Sequence, residues 1–244
     1  MLRFIAIVIF LVLFLILTIP VMIIEWIINK FNPQLRRKTS NAIVKWGFRV
    51  CLFFAGTKVT TIGHENIPTD QAVLYVGNHR SYFDILLLAV QAPGSIGFLA
   101  KKEMLRYPLL CHWMMLIDST FLDRKDIKQG LKVILKNIEL LKDGVSISVF
   151  PEGTRNKTDE LLLPFHDGSF KMAEKSKCPI VIVTYNNTRN IFEAHMPRVE
   201  KQHVIMEFSE PFYMSDLEPE DRRHIGKYVS RILIENHEKN KELV

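Results

Sequence analysis

From residue 58 onward, short apolar runs rich in β-branched residues alternate with segments of helical periodicity, and this alternation restricts the fold more than any other feature of the chain. The apolar runs fall at 58–62, 72–76, 96–100, 120–122, 146–150, 180–185 and 204–208. Helical patterns lie between them at 83–91, 109–116, 126–142 and 168–175. A strand that is apolar on both faces needs cover on both, and crossover helices supply it. The pattern therefore predicts a mixed, largely parallel sheet of about seven strands flanked by helices. A last helix is expected over 219–237, with Ile225, Tyr228, Val229, Ile232 and Leu233 on its buried face and Asp216 as its cap. In such sheets, chemistry collects at strand ends and in the loops that follow them.

The first 57 residues are of a different kind. Residues 4–24 carry no charge, and at about 1.5 Å per residue the run is long enough for a hydrocarbon core of about 30 Å. It exceeds the apolar region of a cleaved signal peptide, and no small-residue cleavage site follows, so it reads as a membrane segment. Pro20 and Glu25 interrupt a straight span. Only Arg3 precedes the run, whereas Lys30, Arg36, Arg37, Lys38, Lys45 and Arg49 follow it. That asymmetry places the rest of the chain on the cytoplasmic side of the cell membrane. Residues 37–56 then repeat Ala42, Ile43, Trp46, Val50, Phe53 and Phe54 at helical spacing, opposite Lys38, Asn41, Lys45 and Arg49. This is an amphipathic helix with a basic side, either packed on the core or lying in the interface. A spanning and a re-entrant arrangement both fit. The expected organisation is a membrane-anchoring helical segment over 1–57 and an α/β domain over 58–244.

Cys51, Cys111 and Cys178 are widely spaced and odd in number. They form neither a metal-ligand cluster nor a disulfide framework, in keeping with a reducing compartment, and nothing in the chain calls for a cofactor. A formal net charge of +6 points to an anionic partner. No nucleic-acid-binding motif accompanies it, which leaves a membrane surface or a phosphorylated substrate.

Gly77-Asn78 punctuates the run at 72–76, so His79 falls at a strand end and Asp84 in the first turn of the next helix, where a carboxylate is favoured. That spacing suits Asp84 to accept from one imidazole nitrogen while the other takes a proton from a substrate hydroxyl. A lone His-x4-Asp pair is common in chains of this length; a turn histidine and a helix-start aspartate would look the same. The loop Phe150-Pro151-Glu152-Gly153-Thr154-Arg155 is more specific. Pro and Gly make a rigid turn beside a buried strand, and Arg155 has the planar fork that grips a phosphate, with Gly153 and Thr154 as nearby donors. Arg124 closes Phe121-Leu122-Asp123-Arg124, and Lys101 and Lys102 close the run at 96–100. Each also reads as an ordinary solvated charge. All of these groups follow expected strands, which would bring them to one rim of the sheet.

Asn78-His79 with Asp84, Phe121 to Arg124, Phe150 to Arg155, and Cys178-Pro179-Ile180-Val181-Ile182-Val183 together resemble, in order and spacing, the four motifs of the 1-acylglycerol-3-phosphate acyltransferase family. Two positions depart from the pattern. Asp118-Ser119 stands where a glycine usually precedes the second motif, and Ile182 stands where the fourth commonly has a second proline. The resemblance implies transfer of a fatty acyl group from an acyl thioester, acyl-CoA or acyl carrier protein, to the 2-hydroxyl of lysophosphatidic acid. It implies His79 as base and Asp84 as its orienter, with Asn78, Lys101, Arg124, Glu152, Gly153, Thr154 and Arg155 shaping or contacting the substrate site. Membrane lipid is the expected surroundings; no metal or cofactor is expected. A related acyltransferase with another lysolipid acceptor, and a non-catalytic module binding anionic lipid, are the alternatives.

Overall fold

The structure, a computed structural model, describes all 244 residues. Three helices come first: α1 (Leu2–Leu17), α2 (Ile19–Phe31) and α3 (Pro33–Ala55). The uncharged run is thus not one straight helix. It breaks at Thr18, whose hydroxyl donates to Phe14 O at 2.6 Å. Pro20 lies in the first turn of α2, where its missing N–H costs least. The two helices meet with a bend of 51°, and no single helix is long and apolar enough to cross a membrane.

The strands are β1 (Lys58–Ile62), β2 (Leu74–Gly77), β3 (Ile96–Lys101), β4 (Thr120–Leu122), β5 (Ser146–Val149), β6 (Ile180–Asn186) and β7 (His203–Phe208). They form one sheet of order β1-β7-β6-β2-β5-β3-β4. Every neighbouring pair is parallel except β6 with β7. The seven strands and the helical cover match the architecture expected from the alternation.

The remaining helices are α4 (Phe83–Gln91), α5 (Pro108–Leu116), α6 (Ile127–Lys142), α7 (Lys171–Ser176), α8 (Pro219–Arg223) and α9 (Ile225–Lys239). Two local expectations are corrected here. The helix expected over 219–237 breaks at His224, and Glu218 rather than Asp216 precedes its first residue. The segment expected as helical over 168–175 opens with a tight 3-10 turn, Asp167–Phe170, before α7 begins.

Alternate residues of the central strands point to opposite faces. Tyr75, Val181 and Val183 join a core with residues of α1 to α5, whereas Leu74, Val76, Ile180 and Ile182 join a second core with residues of α6, α7 and α9. The first core crosses residue 57 without interruption, since Ile7, Met22, Val44, Cys51 and Ala55 belong to it.

Helix α3 corrects a third expectation, because part of its polar side faces the protein: Asn41 is buried and Lys45 half-buried, whereas Lys38 and Arg49 are exposed. Arg36 donates to both carboxylate oxygens of Asp118, at 2.9 and 3.1 Å, and to Leu116 O at 2.7 Å. Asn41 accepts from Ile96 N at 3.0 Å. Lys45 donates to Ala92 O and Gly94 O at 2.6 and 2.8 Å. Burial, with a smaller push from Arg49, brings the Lys45 ammonium down to about 8. Of the expected apolar side, Ala42, Trp46 and Phe53 are exposed, whereas Ile43, Val50 and Phe54 are half-buried. Asp118 sits at φ 58°, a left-handed backbone that suits glycine. The departure from the motif pattern is thus the residue that holds Arg36.

Candidate active site

Because β2 to β6 run parallel to one another, the loops leaving their C-terminal ends share one rim of the sheet. His79 follows β2, Lys101 ends β3, Arg124 follows β4, Glu152 to Arg155 follow β5, and Glu193 lies in the connection after β6. The sequence expectation that strand ends would gather these groups is met by topology.

The rim is built outward from Gly77. A Cβ at this position would lie 2.8 Å from Val183 O and 2.9 Å from the Tyr185 ring. Asn78 then extends the ladder with its side chain. Its Nδ2 donates to Tyr185 O at 3.1 Å, and its Oδ1 accepts from Tyr185 N at 2.9 Å. Both ends of the amide are thereby engaged, so Asn78, expected among the substrate contacts, instead fixes where β2 stops.

His79 emerges from this anchored point. Its ring stacks on Phe150, with centroids 4.0 Å apart, and its Nδ1 lies 3.0 Å from Asp84 Oδ2. The same oxygen accepts from Arg80 N and Ser81 N, each at 2.8 Å. Asp84 is fully buried, in the first turn of α4, where the helix dipole also favours its charge. A carboxylate so held makes Nδ1 the proton-bearing nitrogen and leaves Nε2 as an acceptor without a protein partner.

Glu152 ties the two motif loops together. Its Oε1 accepts from His79 N at 2.8 Å and its Oε2 from Leu163 N at 2.9 Å, while Asn156 N donates to His79 O at 2.7 Å. Both carboxylate oxygens are committed to backbone, which makes Glu152 a strut of the loop and not a contact for ligand. Burial holds its carboxyl above the usual range, with the two amides opposing that shift.

The basic groups gather beyond it. Gly153 has φ 68°, and a Cβ there would lie 2.9 Å from the Arg124 guanidinium. Lys101 Nζ donates to Thr154 Oγ1 at 2.8 Å. Neither Lys101 nor Arg124 has a carboxylate in ion-pair contact. Burial lowers the Lys101 ammonium and the Arg124 charge lowers it further, partly offset by Glu103; burial likewise depresses Arg124. Two crowded cations without a counter-ion make a place where an anion is favoured.

Arg155 is held differently. Its guanidinium lies 3.7 Å over the Tyr82 ring, and Nη1 donates to Glu193 Oε1 at 3.0 Å. Tyr82 N donates to that same oxygen at 2.8 Å, so Glu193 joins Arg155 to the start of α4. Burial raises the Glu193 carboxyl, with hydrogen bonds from Ser81 and Tyr82 pulling it back. Sequence reading gave no hint of Glu193. It lies 38 residues beyond Arg155, in irregular backbone.

A family model described as Acyltransferase matches residues 58–186, which hold the His79–Asp84 pair and the Glu152 to Arg155 loop. The chain belongs to the Acyltransferase family. Relatives of this chain include a 1-acyl-sn-glycerol-3-phosphate acyltransferase of Borreliella burgdorferi, 35% identical over 59% of this chain and 57% of the relative. A Saccharomyces cerevisiae protein of the same name is 29% identical over 76% of this chain and 60% of its own length. A Helicobacter pylori protein, again of that name, is 32% identical over 83% of this chain and 86% of its own length. The matched stretch thus spans less than two thirds of the first two. The crystal structure of the 1-acyl-sn-glycerophosphate (LPA) acyltransferase PlsC from Thermotoga maritima shares the fold, with a TM-score of 0.71 over 93% of this chain and 97% of that one, at 22% identity. In this acyltransferase, as the sequence resemblance implied, the first and third motifs meet: His79 touches Phe150 with its ring and Glu152 with its backbone.

Proposed function

We propose that this acyltransferase is a 1-acyl-sn-glycerol-3-phosphate O-acyltransferase, transferring a fatty acyl group from a thioester to the 2-hydroxyl of lysophosphatidic acid to give phosphatidic acid. The observation that carries the reading is His79, steered by Asp84 and stacked on Phe150, beside the unpaired cations Lys101 and Arg124. The names of its relatives support the same acceptor.

A thioester is already activated, so no covalent intermediate on the protein is needed. His79 Nε2 takes the acceptor's hydroxyl proton as oxygen attacks the thioester carbonyl. The C–O bond forms, the C–S bond breaks, and the proton passes to the departing thiolate. Asp84 holds the imidazolium formed in between. Lys101 and Arg124, with the outward edge of Arg155, hold the acceptor's phosphate.

The acceptor resides in a leaflet, and the N-terminal helices are read as the anchoring unit that brings the rim to it. Leu2, Leu17, Phe31 and Phe53 are all at least 70% exposed, more apolar surface than water-facing helices carry. The basic residues after the apolar run support a position of the rim on the cytoplasmic face of the cell membrane. The test is release of free thiol from acyl-CoA with and without lysophosphatidic acid. His79→Ala should keep its fold and lower turnover on the order of 10²–10⁴-fold; turnover near that of the parent chain would remove the base assignment.

A further inference from the structure

Helix α6 carries an exposed stripe that no part of the catalytic reading uses. Ile127, Leu131 and Leu135, four residues apart, are 89%, 60% and 53% exposed, over about 12 Å of helix. The core side of α6 is already filled by Val133, Ile138 and Leu141, so the stripe is not surplus core. One residue beyond each lies a lysine, Lys128, Lys132 and Lys136, all exposed. The ion pairs nearby, Lys102 with Asp123 and Lys142 with Glu139, leave these lysines unpaired. Arg124 and Lys125 extend the row of charge to the rim, where Arg124 rests on Gly153.

We propose that this face of α6 docks a small acidic carrier protein that bears the acyl chain as a thioester. The proposal rests on the acyl-transfer reading and specifies its donor. An apolar ridge lined by cations fits a helix that presents apolar residues between carboxylates, and its near end delivers that partner to the rim. A nucleotide-borne donor would use cations at the rim but has nothing to lay along about two turns of aliphatic side chains. A flat leaflet is disfavoured, because α6 covers the sheet face opposite the layer that holds α1 to α3. A second copy would bring lysines against lysines.

The test compares acyl carrier protein with acyl-CoA as donors of one acyl chain to lysophosphatidic acid, using the full chain in mixed micelles. For the double variant Lys128→Glu, Lys132→Glu, the KM for the carrier-borne donor should rise on the order of tenfold and lose its salt dependence, with kcat and the acyl-CoA KM within about twofold of the parent. Leu131→Gln should show the same donor selectivity without a change of charge. An equal effect on both donors, or none with the carrier, overturns the proposal. So does loss of anionic-vesicle binding, which identifies lipid as the occupant, or a change in oligomeric size, which identifies a second copy. Turnover of acyl-CoA alone by the parent chain ends the docking proposal but leaves acyl transfer standing; no turnover with either donor ends both.

Discussion

The two helical layers of this protein cover the same sheet by opposite designs. Helix α9 is conventional: it buries Ile225, Val229 and Leu233 and exposes Lys227, Arg231 and Glu235. Helix α3 buries Arg36, Ser40, Asn41 and Gly47 along with Val44, Cys51 and Ala55, and exposes Trp46 and Phe53 along with Lys38 and Arg49. Water on the outside explains α9. It does not explain α3, whose interior is held by hydrogen bonds to Asp118, Ile96, Ala92 and Gly94. Polar groups thus share the inner side of α3 with apolar ones, while aromatic rings share its outer side with charges. The difference teaches that two layers over one sheet can be held by different means, packing on one side and packing mixed with polar ties on the other, with the candidate active rim at the sheet's end.

The sharpest way to break this contrast is Arg36→Leu, which takes from half-buried Asp118 its bidentate partner and leaves it only Arg37 at 3.3 Å. Stability should fall by about 4 kcal/mol, read by chemical unfolding in micelles; a small loss would mean that the polar interior of α3 holds little. On the other layer, Leu233→Ala should cost about 3 kcal/mol through an unfilled cavity, read in the same way. Between the layers, Glu152→Gln presents an amide donor to one of the two backbone N–H groups its carboxylate satisfies, at a cost of about 1–2 kcal/mol. Burial raises the Glu152 carboxyl in the folded chain, so the folded state takes up this proton at higher pH than the unfolded one. The associated stabilisation is full below the ordinary carboxylate range and is lost as pH rises through the raised value. The amide variant has no such dependence, so its deficit should be smallest at neutral pH and widen on acidification. Smallest in stability is Phe53→Ser, within about 0.5 kcal/mol because the ring is 79% exposed. Vesicle partitioning should nevertheless weaken; unchanged partitioning would return α3 to an ordinary water-facing surface.

Much of the sheet was legible because a strand announces itself locally. Apolar, β-branched residues at 58–62 and 120–122 became β1 and β4 without adjustment. His79 and Asp84 were legible for the same reason: a strand end, a short loop and a helix start lie within eight residues of one another, Gly77 to Asp84. The inward-facing polar side of α3 was not. Periodicity shows that a helix has two faces, yet which one turns inward depends on what lies across from it; Asn41 and Lys45 face bare backbone N–H and carbonyl groups that no local pattern exposes. The partners of Asn78 and Glu152 were not legible either, since the amides they satisfy belong in part to Tyr185 and Leu163, far along the chain.

By itself, the sequence determined the kinds of element, their order and the chemistry available at each strand end, because these depend on side chains a few residues apart. Only the tertiary structure decided that β2 lies between β5 and β6, that Glu193 joins Arg155 to Tyr82, and that α3 turns Arg36, Asn41 and Lys45 to the protein. Those outcomes depend on contacts between residues far apart in the chain. Their energies come from burying and satisfying particular polar groups together, which exists as a condition only once the chain has closed on itself.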